Sequence, residues 1–248
     1  YFVYEKQKRV YSSNEGSTHN QLSRLPAKIV SLSNLKVLYA NAGYTRSRRW
    51  VDYNITDISI LEGLTKLSTL ALRDNSITDI SILIKLPQLQ TLYLSGNKLI
   101  RDFSVLRKLT KLHTLDLRSN NITDISILEG LTKLHTLDLS NNKISDISFF
   151  KDLIQLHTLH LSSNNISDIS ILKNLTRLCS LNLSSNHISN ISVLANLSQL
   201  ETLHLRYNRN IKDFSTLRQI TKLNNLYLSD NRISNISVLK GLTRLNTL

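Results

Sequence analysis

Three histidines recur at one spacing in the sequence and are the first candidates for chemistry. His113, His135 and His157 each stand in a His-Thr-Leu triplet, 22 residues apart. If each triplet lies on its own strand, the imidazoles are neighbours about 4.8 Å apart. They could bind zinc together with His160 or Cys179, or form a pH-sensitive edge, and we favour the edge. Because the triplet is copied with a repeat, we predict no metal and no cofactor.

A basic and aromatic cluster near the N-terminus is a second chemical signal. Arg46, Arg48 and Arg49 precede the only tryptophan, Trp50, in the stretch NAGYTRSRRWVDYN. Residues 1–50 hold nine Lys or Arg against two acidic residues, and residues 51–248 hold 22 against 16. Such a segment predicts, as an alternative function, binding to nucleic acid or to another acidic surface.

Sequence motifs for catalysis and for membrane insertion are absent. There is no G-x-x-x-x-G-K-S/T, G-x-S-x-G, H-E-x-x-H or C-x-x-C motif, so we predict that the chain is not an enzyme. There is also no apolar run of about 18 residues, the length that predicts a membrane-spanning helix. One cysteine, Cys179, cannot form an internal disulfide, and the localisation stays open.

The elements that carry all these residues are repeats. Each repeat has the pattern L-x-x-L-x-x-L-x-L-x-x-N-x-I-x-D-I-S-x-(L/F), and successive repeats are 22 or 23 residues apart. The single L-x-L alternation in each repeat is typical of a half-buried strand, so the strands must stack in parallel, one per coil. The repeats begin at Leu64, Leu86, Leu109, Leu131, Leu153, Leu175, Leu197, Ile220 and Leu242.

Two polar positions of the repeat are predicted to be structural. The asparagine that follows the strand, from Asn75 to Asn231, stands where the chain turns inward, and its amide can satisfy backbone groups of adjacent coils. The Asp or Asn before Ile-Ser, together with that serine, supplies capping groups for a short helical turn on the convex side.

This pattern resembles the leucine-rich-repeat family over about residues 20–248, and its D-I-S-x-L half is similar to the short repeats of bacterial internalins and of a phosphatase 1 regulatory subunit. The resemblance implies an α/β solenoid, a leucine-rich-repeat horseshoe with a parallel concave β-sheet and short helical turns or 3-10 segments on the convex side. It also implies a scaffold for protein–protein interaction that binds a protein or peptide partner on the concave face.

The limits of the repeats predict the domain organisation. Residues 1–19 lack the repeat leucines and are predicted to form an N-terminal flank or cap, followed by the repeat domain over 20–248. The first repeat spans 32 residues from Leu32 to Leu64, which predicts an insertion at 44–53 that leaves the solenoid. The sequence starts without Met and stops at Leu248 within a predicted strand, so we expect a longer protein and a truncated last repeat.

Candidate binding residues lie at the strand positions that face the concave surface and change most between repeats. The leucines and asparagines are needed in the core, whereas Tyr and Arg are enriched at binding hot spots. We expect the coils from Leu86 to Asn231 to carry most of the binding. The candidates are Arg73, Tyr93, Asp116, Arg118, Asp138, His160, His204, Arg206, Tyr207 and Tyr227.

Two alternatives to simple protein binding stay open. Similar repeats in Roco-type GTPases imply that the chain could be the recognition or regulatory arm of a larger signalling enzyme, with catalysis outside this chain. A P-loop beyond Leu248 would decide for that alternative. The other alternative is nucleic-acid binding by the basic N-terminal segment, because Asp116, Asp138 and Glu201 argue against nucleic acid on the main sheet.

Overall fold

Each repeat folds into one coil with a short strand and a 3-10 helix. In this computed structural model, residues 2–5, 8–10, 24–44, 50–51, 54–233 and 235–248 are described. They belong to two compact units, Tyr1–Asn120 and Asn121–Leu248. The repeat strands are parallel within each unit, so the prediction of one parallel strand per repeat is confirmed.

In the first unit, four repeat strands form a parallel sheet in which β3, β6, β7 and β8 pair in that order. Strand β1 pairs antiparallel with both β2 and β3, and β4 pairs antiparallel with β5 as a separate ribbon. The strands are β1 (Phe2–Glu5), β2 (Lys8–Val10), β3 (Val37–Tyr39), β4 (Gly43–Tyr44), β5 (Trp50–Val51), β6 (Thr69–Ala71), β7 (Thr91–Tyr93) and β8 (Thr114–Asp116).

In the second unit, five repeat strands pair in parallel in the order of the sequence. Equivalent residues of neighbouring repeats are direct partners in the register, for example Leu159 and Leu181. The strands are β9 (Thr136–Asp138), β10 (Thr158–His160), β11 (Ser180–Asn182), β12 (Thr202–His204) and β13 (Asn225–Tyr227).

The return segment of each coil is a 3-10 helix, as the resemblance to short leucine-rich repeats implies. Neighbouring 3-10 helices pack against one another within each unit, so a layer of short helices lies behind each sheet. Their bounds are Ala27–Ser31, Ser59–Gly63, Ser81–Lys85, Ser104–Lys108, Ser126–Leu128, Ser148–Asp152, Ser170–Asn174, Ser192–Asn196, Ser215–Gln219 and Ile236–Leu239.

The core lies between the sheet and the 3-10 layer and consists of the repeat leucines and isoleucines. The central strand leucine is fully buried in coil after coil, as at Leu70, Leu137 and Leu203. Burying such a side chain stabilises the fold by about 1.5–3 kcal/mol. Since each coil covers the leucines of its neighbours, the strand residues on either side of the central leucine remain available on the outer face.

The asparagine that follows each strand has the structural role that the sequence predicts. The Asn75 amide nitrogen donates to the carbonyl oxygens of Ala40 at 2.9 Å and Leu72 at 3.0 Å, and its oxygen accepts from the Ile55 backbone N–H at 3.0 Å. The same pattern recurs at Asn164 and Asn186. These amides join neighbouring coils and fix the turn at the end of each strand.

The Asp-Ile-Ser turn is also confirmed as an architectural feature. The Asp79 carboxylate accepts the backbone N–H of Ser81 at 2.7 Å, and Asp168 accepts that of Ser170 at 2.8 Å. Hydrogen bonding to Ser170 lowers the pKa of Asp168. The carboxylate therefore satisfies a donor at the start of the 3-10 helix.

The predicted insertion and flank are described in part. Within the insertion at 44–53, Tyr44 pairs with Trp50 in the β4–β5 ribbon. Arg46, Arg48 and Arg49, which we expect to be exposed, lie outside the described residues. The assignment of residues 1–19 as a flank or cap stays a prediction.

Candidate functional site

The candidate site is the outer face of each parallel sheet, and the strands build it directly. Side chains alternate across a strand, so the residues flanking the central leucine point away from the core. In the second unit the last strand position carries, in register, Asp138, His160, Asn182, His204 and Tyr227. In the first unit the same position carries Tyr39, Ala71, Tyr93 and Asp116.

Four of the predicted residues form one cluster in the first unit. The Asp116 side chain is 6% exposed, and its carboxylate receives Arg73 Nη2 at 2.9 Å. Arg118 binds the same carboxylate through Nε and Nη2, both at 3.1 Å. The Arg73 guanidinium lies over the Tyr93 ring, 4.2 Å from its centroid. Asp116 therefore positions two arginines, and the guanidinium group of Arg73 packs on Tyr93 at the outer face of the sheet.

In the second unit, Asp138 and His160 form a polar pair between adjacent strands. His160 Nδ1 lies 3.4 Å from Asp138 Oδ2, and the Ser140 backbone N–H donates to Asp138 Oδ1 at 2.9 Å. Burial raises the pKa of Asp138, but the hydrogen bonds from His160 and Ser140 outweigh it and lower the pKa below its ordinary value. Asp138 is therefore a carboxylate at neutral pH and orients the imidazole.

An aromatic and cationic cluster lies at the next strands of the second unit. The His204 and Tyr227 rings stack with centroids 4.1 Å apart, and the Arg206 guanidinium lies 4.8 Å from the Tyr227 centroid. Burial, followed by the positive charges of Arg206 and His160, lowers the pKa of His204. The cluster offers stacked ring surface and one guanidinium, which are groups that protein hot spots use.

Tyr207, which follows Arg206, has an unusual backbone conformation. Its φ is 57°, in the left-handed region. The equivalent turn position is held by Asp74 and Asn141 in other repeats, and aspartate and asparagine tolerate that region better than tyrosine does. The Tyr207 side chain is also exposed, so a strained backbone conformation here holds an aromatic side chain on the surface.

The recurrent histidines lie where the strands begin. His135 and His157 stack with centroids 5.3 Å apart, and their Nδ1 atoms lie 2.8 and 2.7 Å from the carbonyl oxygens of Lys133 and Gln155. Among the residues that the structure describes, no three His, Cys, Asp or Glu side chains converge as metal ligands. Cys179 holds the equivalent position directly before β11, with its thiol 3.5 Å from the Arg177 carbonyl oxygen.

Two features of the face were not predicted from the sequence, the residue Tyr39 and the turn hydrogen bonds at the ends of the strands. Tyr39 is exposed and occupies the variable strand position in the first repeat, in register with Ala71. It could have been predicted from its place directly before the buried Ala40, which holds a core position. Asp138 and Asn182 accept the backbone N–H two residues ahead, at Ser140 and Ser184. An Asp or Asn at the end of a strand is a recognisable signal for such a turn.

The repeats identify the family by direct comparison. A family model described as leucine-rich repeats in two copies matches residues 65–108, 110–152 and 176–219, and a single leucine-rich-repeat model matches residues 155–172. The chain belongs to the leucine-rich-repeat family. Leucine-rich-repeat domains are typically protein-binding modules, and their fold is typically non-catalytic.

Solved structures with this fold include two internalins of Listeria monocytogenes. Internalin C2 is 32% identical with a TM-score of 0.66, over 86% of this chain and 80% of that chain. The internalin InlF is 30% identical with a TM-score of 0.62, over 90% and 82% of the two chains. The leucine-rich repeats of this chain are therefore internalin-like.

A plant receptor shares the leucine-rich-repeat fold at lower identity. The plant peptide hormone receptor RGFR1 in complex with RGF2 is 24% identical with a TM-score of 0.71, over 92% of this chain and 41% of that chain. No curated protein matches the chain by sequence. In the described part of the chain, no helix has the length and apolar character needed to cross a membrane.

Proposed function

We propose that this leucine-rich-repeat chain is a protein-interaction module that binds a protein or peptide partner on the outer, concave face of its sheet. The observation that carries the proposal is the contrast between two strand positions. The central leucine is constant from coil to coil, whereas the residue after it changes from Tyr to Asp, His and Asn. Side chains that change in chemistry along a rigid sheet are suited to recognising one particular partner.

The geometry of the face supports binding more than catalysis. Arg73 and Tyr93, like Arg206 and Tyr227, are prearranged by stacking, which lowers the entropy that binding costs. Asp138 and His160 form the polar pair that most resembles a catalytic one. In the described part of the chain, the imidazole of His160 is hydrogen-bonded to the Asp138 carboxylate. Such a pair orients an imidazole for contact with a ligand.

Known structures add support at the level of the fold. The receptor RGFR1 is in complex with RGF2, so the leucine-rich-repeat fold is compatible with a peptide ligand. The internalin-like repeats provide the same open sheet, with its outer face uncovered by other described parts of the same unit. A protein or peptide is therefore the class of partner that we propose.

The test replaces the face while leaving the core intact. Tyr93, His160, His204 and Tyr227 are changed together to alanine. The matched control changes four exposed residues outside the sheet to alanine, in the segments that lead to the 3-10 helices: Thr78, Ser145, Ser167 and Ser189. The wild-type chain is used to capture partners from a cell extract or from secreted proteins. Each captured protein is purified, and its affinity for the wild type and both variants is measured by calorimetric titration.

We expect the face variant to lose about 30-fold or more in affinity, equivalent to about 2 kcal/mol, while the control binds as the wild type does. Circular dichroism should report a folded chain for both, since exposed positions usually change stability by about 0.5 kcal/mol each. Normal binding by the face variant together with lost binding by the control would place the interaction outside the sheet and refute the proposal.

A further inference from the structure

We propose that the second unit has another interaction surface, at the edge where its strands begin, and that this surface binds an acidic polypeptide segment with apolar side chains. We call this surface the basic edge. It consists of Lys133, Lys151, Lys173 and Arg177 with Ile154 among them. It is separate from the outer face of the sheet and does not depend on the proposed function of that face.

The topology places these residues together. Lys151 and Lys173 lie at the ends of the 3-10 helices Ser148–Asp152 and Ser170–Asn174, which pack against each other. Lys133 and Arg177 are the third residues of their repeats and stand shortly before strands β9 and β11. Because parallel strands start at one edge of a sheet and lie about 4.8 Å apart, the four cations follow one edge over adjacent coils.

The basic edge carries an excess of positive charge. None of the four cations makes an ion pair with another residue in the described ranges. Arg177 donates to the side-chain oxygen of Gln155, a neutral amide that holds the guanidinium without cancelling its charge. Two carboxylates stand at these edge positions, Asp152 and Glu129, which holds the position of Lys151 in the preceding coil, against the four cations. Like charges that follow one edge produce a field that favours an anionic partner.

Ile154 decides which class of anion fits. Its side chain is 50% exposed, whereas the same repeat position carries Thr132 before it and Thr176 after it. An exposed isoleucine at a basic edge offers no contact to a nucleic acid backbone or a sulfated polysaccharide, which carry no apolar side chains. An acidic polypeptide can place carboxylates on the cations and an apolar side chain on Ile154.

The experiment measures binding of a short, fluorescently labelled peptide of glutamate with leucine at every third position. Fluorescence anisotropy compares the wild type with a variant carrying glutamine at Lys133, Lys151, Lys173 and Arg177. The matched control carries glutamine at four exposed cations that follow the strands of the same unit, so the net charge is identical. These control positions are Lys143, Arg209, Lys212 and Arg232.

We expect the edge variant to lose about tenfold or more in affinity while the control stays within about twofold of the wild type, because the variant removes four exposed ion pairs with the peptide at once. The substitution Ile154→Thr installs the residue that neighbouring repeats use, so folding should be retained, and it should weaken the peptide complex but not binding to heparin or to a DNA duplex. The outer-face variant with four alanines should bind the peptide normally, which separates this proposal from the preceding one.

Three results would overturn the inference. Equal losses in the edge and control variants would mean that net charge alone attracts the peptide. Absence of measurable peptide binding to the wild type would remove the proposed partner class. Tighter binding of heparin or duplex DNA than of the peptide, together with an unaltered affinity in Ile154→Thr, would assign the edge to a different polyanion.

Discussion

The imidazole of His204 lies flat on the ring of Tyr227, with the centroids 4.1 Å apart and the planes inclined by 13°. The two residues are direct neighbours because β12 and β13 pair in register. Burial and the nearby positive charges of Arg206 and His160 lower the pKa of His204 below its ordinary 6.5. The folded chain therefore favours the neutral imidazole.

This relationship predicts a pH dependence of stability. In the unfolded chain His204 takes up a proton near pH 6.5, whereas in the folded chain it does so at lower pH. The stabilising contribution is therefore complete above pH 6.5 and is lost as the pH falls through the folded-state pKa. We expect the free energy of unfolding of His204→Gln, from urea titrations between about pH 8 and pH 5, to decline less steeply than that of the wild type.

His187 provides the matched control, because it is an exposed histidine of the same unit. His187→Gln should leave the slope of stability against pH close to that of the wild type. If His204→Gln and His187→Gln give the same slope, the environment of His204 does not control this dependence.

A second prediction concerns the left-handed backbone of Tyr207. Asparagine tolerates a φ of 57° better than tyrosine does, so Tyr207→Asn should raise the free energy of unfolding by about 1 kcal/mol. If Tyr207 contacts the partner, as predicted from the sequence, the same substitution should weaken partner binding. Asp74→Asn is the control, because Asp74 has a φ of 58° and aspartate already tolerates the left-handed region, so this substitution should change stability little. A destabilised Tyr207→Asn variant would contradict the argument from backbone conformation.

The sequence predicted the coils because their spacing leaves little freedom. A leucine every few residues with one L-x-L per repeat can be buried only if coils stack, as Leu70 and Leu92 do. The asparagine and Asp-Ile-Ser positions were equally predictable, since their hydrogen bonds are made to backbone groups that every coil presents. Such regular features depend on register and on little else.

The contacts on the outer face were less predictable. The repeat positions of Arg73 and Asp116 can be predicted from the sequence. The ion pair between Arg73 and Asp116, however, spans two strands. That reach depends on rotamers of long side chains, which spacing does not determine. The same holds for Arg206 over Tyr227 and for His160 with Asp138. The sequence therefore indicates which positions vary, and the structure shows which of their side chains are in contact.

A third prediction tests the asparagine positions. Asn164 is buried, donates to the carbonyl oxygens of Leu139 and Leu161 at 3.0 Å and accepts from the Ile144 N–H at 3.0 Å. Asn164→Ala leaves these backbone groups unsatisfied. We therefore expect the free energy of unfolding, measured by urea titration, to fall by about 3 kcal/mol or more. The adjacent Asn165 is exposed, and Asn165→Ala should change stability by about 0.5 kcal/mol or less. Equal losses at both positions would contradict the assignment.

The last prediction concerns the carboxylate that holds two arginines. Asp116→Asn keeps the shape of the side chain but removes the negative charge between Arg73 and Arg118. The arginine side chains are 34% and 41% exposed, so water screens part of their repulsion. We therefore expect a loss of about 1–3 kcal/mol in urea unfolding, less than the cost of breaking a fully buried pair.

The salt dependence of this loss identifies its origin. Repulsion between Arg73 and Arg118 should be weaker in high salt, so the difference between Asp116→Asn and the wild type should decrease as sodium chloride is added. Adding Arg73→Gln to Asp116→Asn should recover part of the stability, because one of the two unpaired charges is removed. Asp74→Asn is the matched control, since Asp74 is exposed and asparagine suits its φ of 58°. A loss that is unaffected by salt and by Arg73→Gln would mean that Asp116 acts through packing, and the charge-clamp interpretation of this cluster would be wrong.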